Sequence, residues 1–280
     1  MVLPNFFIIG AARSATSSLY FYLREHPEIY MSPDKEAQFF GFYETKRAHK
    51  SKYQSMEEYG RLFDDITDEK IVGEATPTYL ALEDSAYSIK KYCPDAKLLA
   101  SLRNPIDRAF SYYEMSISKG HDKKQTFEQW MDGNEFWLSQ GRYFSQLTRY
   151  IDLFGKDKLM LVLFEDVKNN TADVIANIHK FLEIEVIKPE KTPAAYNRGG
   201  KPKGVVGAFI YKATTNRTLN RLLRPFIPRW GVNMVHALRN KAVKPSEMNA
   251  ETRQKLIEYF RDDILKTQEL IGRDLGHWLK

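Results

Sequence analysis

Only one cysteine, Cys93, occurs in the 280 residues. That excludes an internal disulfide framework and any metal site built on several thiolates. Long apolar runs are missing too. The N-terminal MVLPNFFII is too short to cross a bilayer, and with no basic segment before it, it does not read as a secretory signal. These absences lead to the expectation of a reducing, cytosolic setting. No internal repeat or low-complexity tract occurs, and no clustered His/Asp/Glu set calls for a metal. No RNA- or DNA-reading motif is present either, which ranks nucleic acid low as a partner. Acidic residues are absent between Lys191 and Ser246, a stretch with twelve Lys or Arg. The whole chain carries only +6, so the remainder is net acidic. Such asymmetry suits a face that meets something anionic, and equally a solvated basic surface.

The hydrophobic fraction of 43% and charged fraction of 28% are those of a globular protein with a full core. Strand-like runs recur at FFII (6–9), KIVGE (70–74), KLLASLR (97–103) and KLMLVLF (158–164). Helical patterns follow at Thr16–Glu25, Ile106–Ser118 and Thr171–Leu182. Alternation of this kind predicts an α/β fold in three layers, a central parallel sheet flanked by helices. His26-Pro27 ends the first helix, because the residue before proline avoids the α region. The polar stretch from Tyr43 to Glu69 reads as an excursion outside the sheet. Residues 191–205 read as a mobile basic loop, 206–227 as amphipathic, and Asn249–Gly272 as a long helix. The expectation is one domain over residues 1–280 with a helical C-terminal extension.

In residues 6–23, FFIIGAARSATSSLYFYL, a strand, a tight turn and a helix follow one another. That arrangement aims several backbone N–H groups at one anion, and the helix dipole adds about half a positive charge there. Gly10 allows a sharp exit from the strand, and Ala11, Ala12, Ser14 and Ala15 keep bulk low. Thr16, Ser17 and Ser18 supply hydroxyls, and Arg13 would lie against the anion. A triphosphate–magnesium loop would carry a Gly-Lys-Ser/Thr triplet where this chain has Ala15-Thr16-Ser17. The competing reading is an ordinary βα turn with Thr16 as the cap. SLRNPIDRAFSYYEM (101–115) repeats the layout, with Arg103 at the carboxyl end of its strand and Arg108 and Ser111 three apart on the helix. Two anion sites on one sheet edge suit a nucleotide with phosphates at both its 5′ and 3′ positions.

On these segments the chain resembles the sulfotransferases that use 3′-phosphoadenosine 5′-phosphosulfate (PAPS), in particular the branch of the heparan sulfate sulfotransferases and their bacterial relatives. IIGAARSATSSLYFYLREHPEI is similar to that family's 5′-phosphosulfate loop, SPDKEAQFF to its acid/base segment, GEATPTYL to an acceptor-cleft motif and LLASLRNPIDRAFSYY to its 3′-phosphate site. Weaker likeness runs through GRYFSQLTRYIDLFGKDKLMLVLFEDV and RDLGHWL, so it covers almost the whole chain. The resemblance implies a P-loop-like fold and PAPS as sulfuryl donor, with no metal. It also implies a hydroxyl or amine acceptor on a glycan, lipid or small metabolite. Arg13 takes the position that contacts the phosphate–sulfate bridge, and Ser14, Ala15, Thr16, Ser17 and Ser18 that of the 5′ loop. Arg103 and Ser111 match the 3′-phosphate ligands, Glu36 the base that deprotonates the acceptor, and Lys201 a lysine that closes over the nucleotide. Ala15 stands where glycine is usual, and Ala75 where the heparan enzymes often have lysine.

In-line displacement at sulfur needs a carboxylate to take the acceptor proton, and fixed donors where the leaving phosphate gains charge. Arginine keeps its proton, so Arg13 is expected to stabilise charge rather than act as an acid. Glu36 could instead be a surface carboxylate paired with Lys35. Glu74 could act in the cleft or orient a neighbour. His26 reads as a capping or packed histidine, His121 and His236 as surface groups, and Cys93 as inert. Two other functions compete: a kinase with a degenerate loop, and a non-catalytic binder of anionic glycans built on 191–246. The basic stretch 205–241 also suits contact with a membrane holding a lipid acceptor.

Overall fold

The structure, a computed structural model, describes residues 1–45, 51–118, 126–187, 201–202, 243–244 and 247–280. The apolar runs form strands β1 (Phe6–Gly10), β3 (Ile71–Ala75), β4 (Lys97–Leu102) and β5 (Leu159–Leu163), and a short β2 (Ile29–Met31) joins them. The order is β2-β3-β1-β4-β5, with every neighbouring pair parallel. Parallel pairing puts all five carboxyl ends on one edge. β1 sits where the connections change direction, the place at which open α/β sheets bind ligands. The described helices are α1 (Thr16–Leu23), α2 (Met56–Gly60), α3 (Glu83–Tyr92), α4 (Pro105–Ser118), α5 (Phe127–Asp132), α6 (Glu135–Ser139) and α7 (Tyr143–Phe154). They continue with α8 (Phe164–Asn169), α9 (Thr171–Leu182) and α10 (Ala250–Ile271). Strand and helix bounds lie within about two residues of those read from the pattern, a normal spread for element ends. β2, α3, α5, α6, α7 and α8 are additions to that reading.

The chain divides into two compact units. The first comprises residues 1–108, 139–190 and 256–280, the second 109–138 and 191–255. In the first, one sheet face (Phe6 and Ile8 of β1, Ala75, Leu99, Val162) buries Leu19, Tyr20 and Leu23 of α1 with Val174, Ile175 and Ile178 of α9. On the opposite face Phe7 meets Phe40 edge-on, with ring centroids 5.5 Å apart. Phe40 in turn adjoins Tyr59 and Tyr79. The long C-terminal helix is present as expected, and Phe260, Ile264, Leu275 and Trp278 are buried. In the second unit Phe110, Tyr113, Phe127 and Trp130 form an aromatic cluster. α5 opens on a capping box between Thr126 and Gln129. β6 (Lys201–Pro202) and β7 (Val243–Lys244) pair antiparallel.

Candidate functional site

The turn after β1 is shaped by close packing. A Cβ on Gly10 would stand 2.5 Å from the Leu80 Cβ, so only glycine fits. Ala11 N–H donates to the Ser101 carbonyl (2.8 Å) and Ser14 N–H to that of Ala11 (3.2 Å). Arg13 and Ala15 both take the left-handed conformation, with φ of 73° and 65°. Ala15 is the residue that precedes α1, and no side chain caps the helix. The first helical bond is Leu19 N–H to the Ala15 carbonyl, 3.1 Å. The N–H groups of Thr16, Ser17 and Ser18 therefore open toward the turn with their dipole unopposed. Thr16 is the first helical residue rather than the cap, which removes the reading of this segment as an ordinary capped turn. Ser14 is fully buried beside Tyr143. An uncapped helix end above a small-residue turn fits the oxygens of an anionic group.

Arg103 reaches the same turn from the neighbouring strand, its Nη1 donating to the Arg13 carbonyl at 3.2 Å. Its guanidinium lies 4.5 Å over the Phe164 ring, and its own carbonyl accepts the Tyr143 hydroxyl at 2.8 Å. Asn104 organises the turn that follows. Its Oδ1 accepts Ile106 N–H (3.0 Å), and its Nδ2 donates to the Trp278 carbonyl (3.3 Å). The Arg108 side chain is fully buried one turn into α4; Ser111, also buried, belongs to the second unit. Beside Arg103 a cavity of about 250 Å³ is lined by Asp107, Phe164, Glu165, Lys168 and Asn169. A larger one, about 360 Å³, lies between α3 and α7 and involves none of the residues singled out from sequence.

Glu36 approaches this edge from the other side of β1. Its N–H donates to the Ala75 carbonyl at the end of β3 (2.9 Å), its φ is 68°, and its side chain is 47% exposed. Lys35 Nζ stands 2.5 Å from Glu36 Oε1, so the pairing weighed from sequence is present on a half-exposed carboxylate. Behind it lies Glu74, fully buried on β3. Its Oε2 accepts the Tyr59 and Tyr79 hydroxyls (2.9 and 3.0 Å), and its Oε1 accepts the Thr76 hydroxyl. Burial pushes the Glu74 carboxyl up to about 7 against the pull of those three donors. Thr76 Oγ1 accepts Gln38 N–H (3.2 Å) and Tyr79 Oη accepts Phe40 N–H (3.1 Å).

The structure thus gathers the Arg13–Ser18 turn and Arg103 in direct contact, and places Glu36 across β1 from Arg103. Lys201 is described only by its pairing with Lys244, and its side chain is outside the described residues. So are most of the basic stretch 191–246, His121 and His236. His26 is packed, as expected: Nδ1 accepts Glu28 N–H (3.1 Å) and Nε2 donates to the Glu185 carbonyl (2.9 Å). Cys93 is buried, its thiol pushed up to about 12 by desolvation. Among the described residues no helix is long and apolar enough to cross a membrane. Tyr143 and the Glu74 hydroxyl cluster were not read from sequence, since nothing in GRYFSQ or in residues 59, 74, 76 and 79 marks them as partners.

A family model described as a sulfotransferase domain matches residues 3–194. Human heparan sulfate glucosamine 3-O-sulfotransferase 3B1 is 25% identical over 283 residues, covering 98% of this chain and 65% of the relative. Human bifunctional heparan sulfate N-deacetylase/N-sulfotransferase 2 is 24% identical over 301 residues, 99% of this chain and 31% of the relative. The chain therefore spans less than two thirds of the length of these curated relatives. The crystal structure of a sulfotransferase from Alicyclobacillus acidocaldarius matches over 100% of both chains, with a TM-score of 0.76 and 28% identity.

Proposed function

Because this chain belongs to the sulfotransferase domain family, we propose that it moves a sulfuryl group from PAPS to a hydroxyl or amine of an acceptor. The observation that carries this is the uncapped α1 N-terminus, with Arg13 and Arg103 joined across the β1–β4 edge. Arg13, Ser14 and the Thr16–Ser18 N–H groups would hold the 5′-phosphosulfate, and Arg103 the 3′-phosphate, with Ser111 and Lys201 as further ligands. The donor supplies an activated sulfuryl group on its 5′-phosphate. Arg13, permanently charged, stabilises the negative charge that gathers on the leaving phosphate. Glu36, exposed at the edge, takes the acceptor's proton as its bond to sulfur forms; Lys35 must release or share the carboxylate at that step. The two human relatives are named for O- and N-sulfation of heparan sulfate. That supports a glycan acceptor here, while Ala75 in GEATP leaves this cleft without the lysine the heparan enzymes often carry.

Adenosine 3′,5′-bisphosphate should raise the melting temperature without magnesium, and ATP with magnesium should not. A kinase would give the reverse. An acceptor screen with PAPS, covering desulfated heparan sulfate, a lipid alcohol and 4-nitrophenol, should release the bisphosphate with at least one. Glu36→Gln should then lower turnover by about 10²- to 10⁴-fold, and Arg13→Ala by about 10²- to 10³-fold. Near-wild-type turnover in either variant would remove that residue's role. Absence of both bisphosphate binding and release would remove the whole reading.

A further inference from the structure

The loop that carries Glu36 is short of regular structure. It runs from β2 through Pro33 to Phe40, and both Glu36 and Gln38 adopt left-handed backbone, with φ of 68° and 59°. Such a conformation disfavours side-chain-bearing residues and persists only where neighbours hold it. Two of the holding bonds run to side-chain hydroxyls, from Gln38 N–H to Thr76 and from Phe40 N–H to Tyr79. A hydroxyl has one proton and two lone pairs. It can serve reliably as an acceptor for the loop only if its own proton is committed elsewhere. Here both protons point to one group, the Glu74 carboxylate, which also takes the Tyr59 proton. Above about pH 7 the Glu74 carboxyl is ionised and acceptor-only, and it then dictates the direction of every bond around it.

We propose that Glu74 is a positioning residue for the Glu36 loop, its carboxylate turning the Thr76 and Tyr79 hydroxyls so that their oxygens hold the Gln38 and Phe40 N–H groups. This rests on the reading of Glu36 as the acceptor's base. It also resolves the choice the sequence leaves open, because Glu74 is fully buried behind the Glu36 loop and acts through its neighbours. The chain has a reason to keep a carboxyl group in a fully buried place on β3: glutamine of the same shape offers one acceptor oxygen and one donating amide. It cannot receive all three protons.

The test uses the whole chain and two readouts. In Glu74→Gln, amide hydrogen exchange should quicken by about tenfold or more at Gln38 and Phe40, while the β3 amides keep their protection. Affinity for adenosine 3′,5′-bisphosphate should stay within about twofold of wild type, and PAPS turnover on desulfated heparan sulfate should fall by about 10- to 100-fold in kcat. Thr76→Val should release Gln38 alone and Tyr79→Phe should release Phe40 alone. Thr76→Ser, which restores a hydroxyl, should recover the Gln38 protection. These single-hydroxyl variants decide the matter if Glu74→Gln does not fold. Unchanged exchange at both amides in all of these variants would overturn the proposal, as would lost protection with wild-type kcat. Should Glu36→Gln retain wild-type turnover, the base assignment fails, and with it the catalytic purpose of the loop. The exchange data then still report whether Glu74 orders the loop. If wild type does not sulfate the glycan, the exchange pattern alone supports or overturns the positioning role.

Discussion

At the scale of single residues, the most informative positions are those whose backbone or ionisation is at odds with their chemistry. Ala15 adopts a left-handed conformation in which a Cβ costs about 1 kcal/mol or more, yet its methyl packs against the α1 core cluster. Relief of strain outweighs the lost methyl contact, so Ala15→Gly should raise stability by up to about 1 kcal/mol. A urea midpoint below wild type would contradict this. Glu74 presents the other case. Its folded value, pushed up to about 7 by burial, lies above that of an unfolded glutamate, about 4.3. The titratable groups that interact with it are Tyr53, Tyr59, Tyr79, Tyr150, Asp34 and Cys93, and none brings a positive charge. Its contribution to stability is thus fully present below about pH 4.3 and is lost as pH rises through about 7. His179, lowered to about 4 by burial, works in the opposite sense, losing stability as pH falls. Comparison with Glu74→Gln isolates the carboxyl: the stability of wild type relative to the variant should decline between pH 5 and pH 8 in urea titrations. At this scale the sequence was partly legible. Arg13 and Arg103 announce themselves by ending apolar runs beside small residues or Asn-Pro. Glu36 has no periodicity around it and emerged only through the family likeness.

Elements were more legible where one physical signal dominated. β1 and β5 carry four or more consecutive apolar residues, β4 is buried from Leu98 to Leu102, and Thr171–Leu182 has a clean amphipathic pattern, so pattern and structure agree on them. β2, with only three residues, is too short to show a period. α7 mixes aromatic and polar residues, and its start is fixed from far along the chain. The Asp263 carboxylate of α10 accepts the N–H groups of Tyr143 (2.7 Å) and Phe144 (3.3 Å), capping α7 across 120 residues. Desolvation raises the Asp263 carboxyl while those N–H groups oppose it. Asp263→Ala should cost about 1–2 kcal/mol in urea unfolding. It should also weaken bisphosphate binding, because Tyr143 at the head of α7 holds the Arg103 carbonyl. Loss of stability with unchanged affinity would separate α7 from the donor site.

For the molecule as a whole, the sheet and the turns after β1 and β4 were foreseeable, whereas the return of the C-terminal residues to them was not. Residues 256–280 belong to the same unit as β1. Trp278 is fully buried there, with Nε1 donating to Glu165 (3.0 Å) and its carbonyl receiving Asn104. A polar-looking RDLGHWL gives no local sign that its tryptophan supports a turn 174 residues earlier. Trp278→Ala should destabilise by about 3–5 kcal/mol. Far-UV circular dichroism melts would register it, and a shift below about 1 kcal/mol would mean the indole fills no essential space. The bond from Arg103 to the Arg13 carbonyl would have a consequence for how the proposed two-ended donor is held. In the proposed site, the guanidinium that would hold one end also bonds the backbone that would hold the other, so occupancy of either end would bias the other, and by the same factor in both directions. A donor trimmed of its 3′-phosphate would then forfeit cooperativity as well as contacts, and the pair of turns would discriminate whole ligands rather than sum two independent grips.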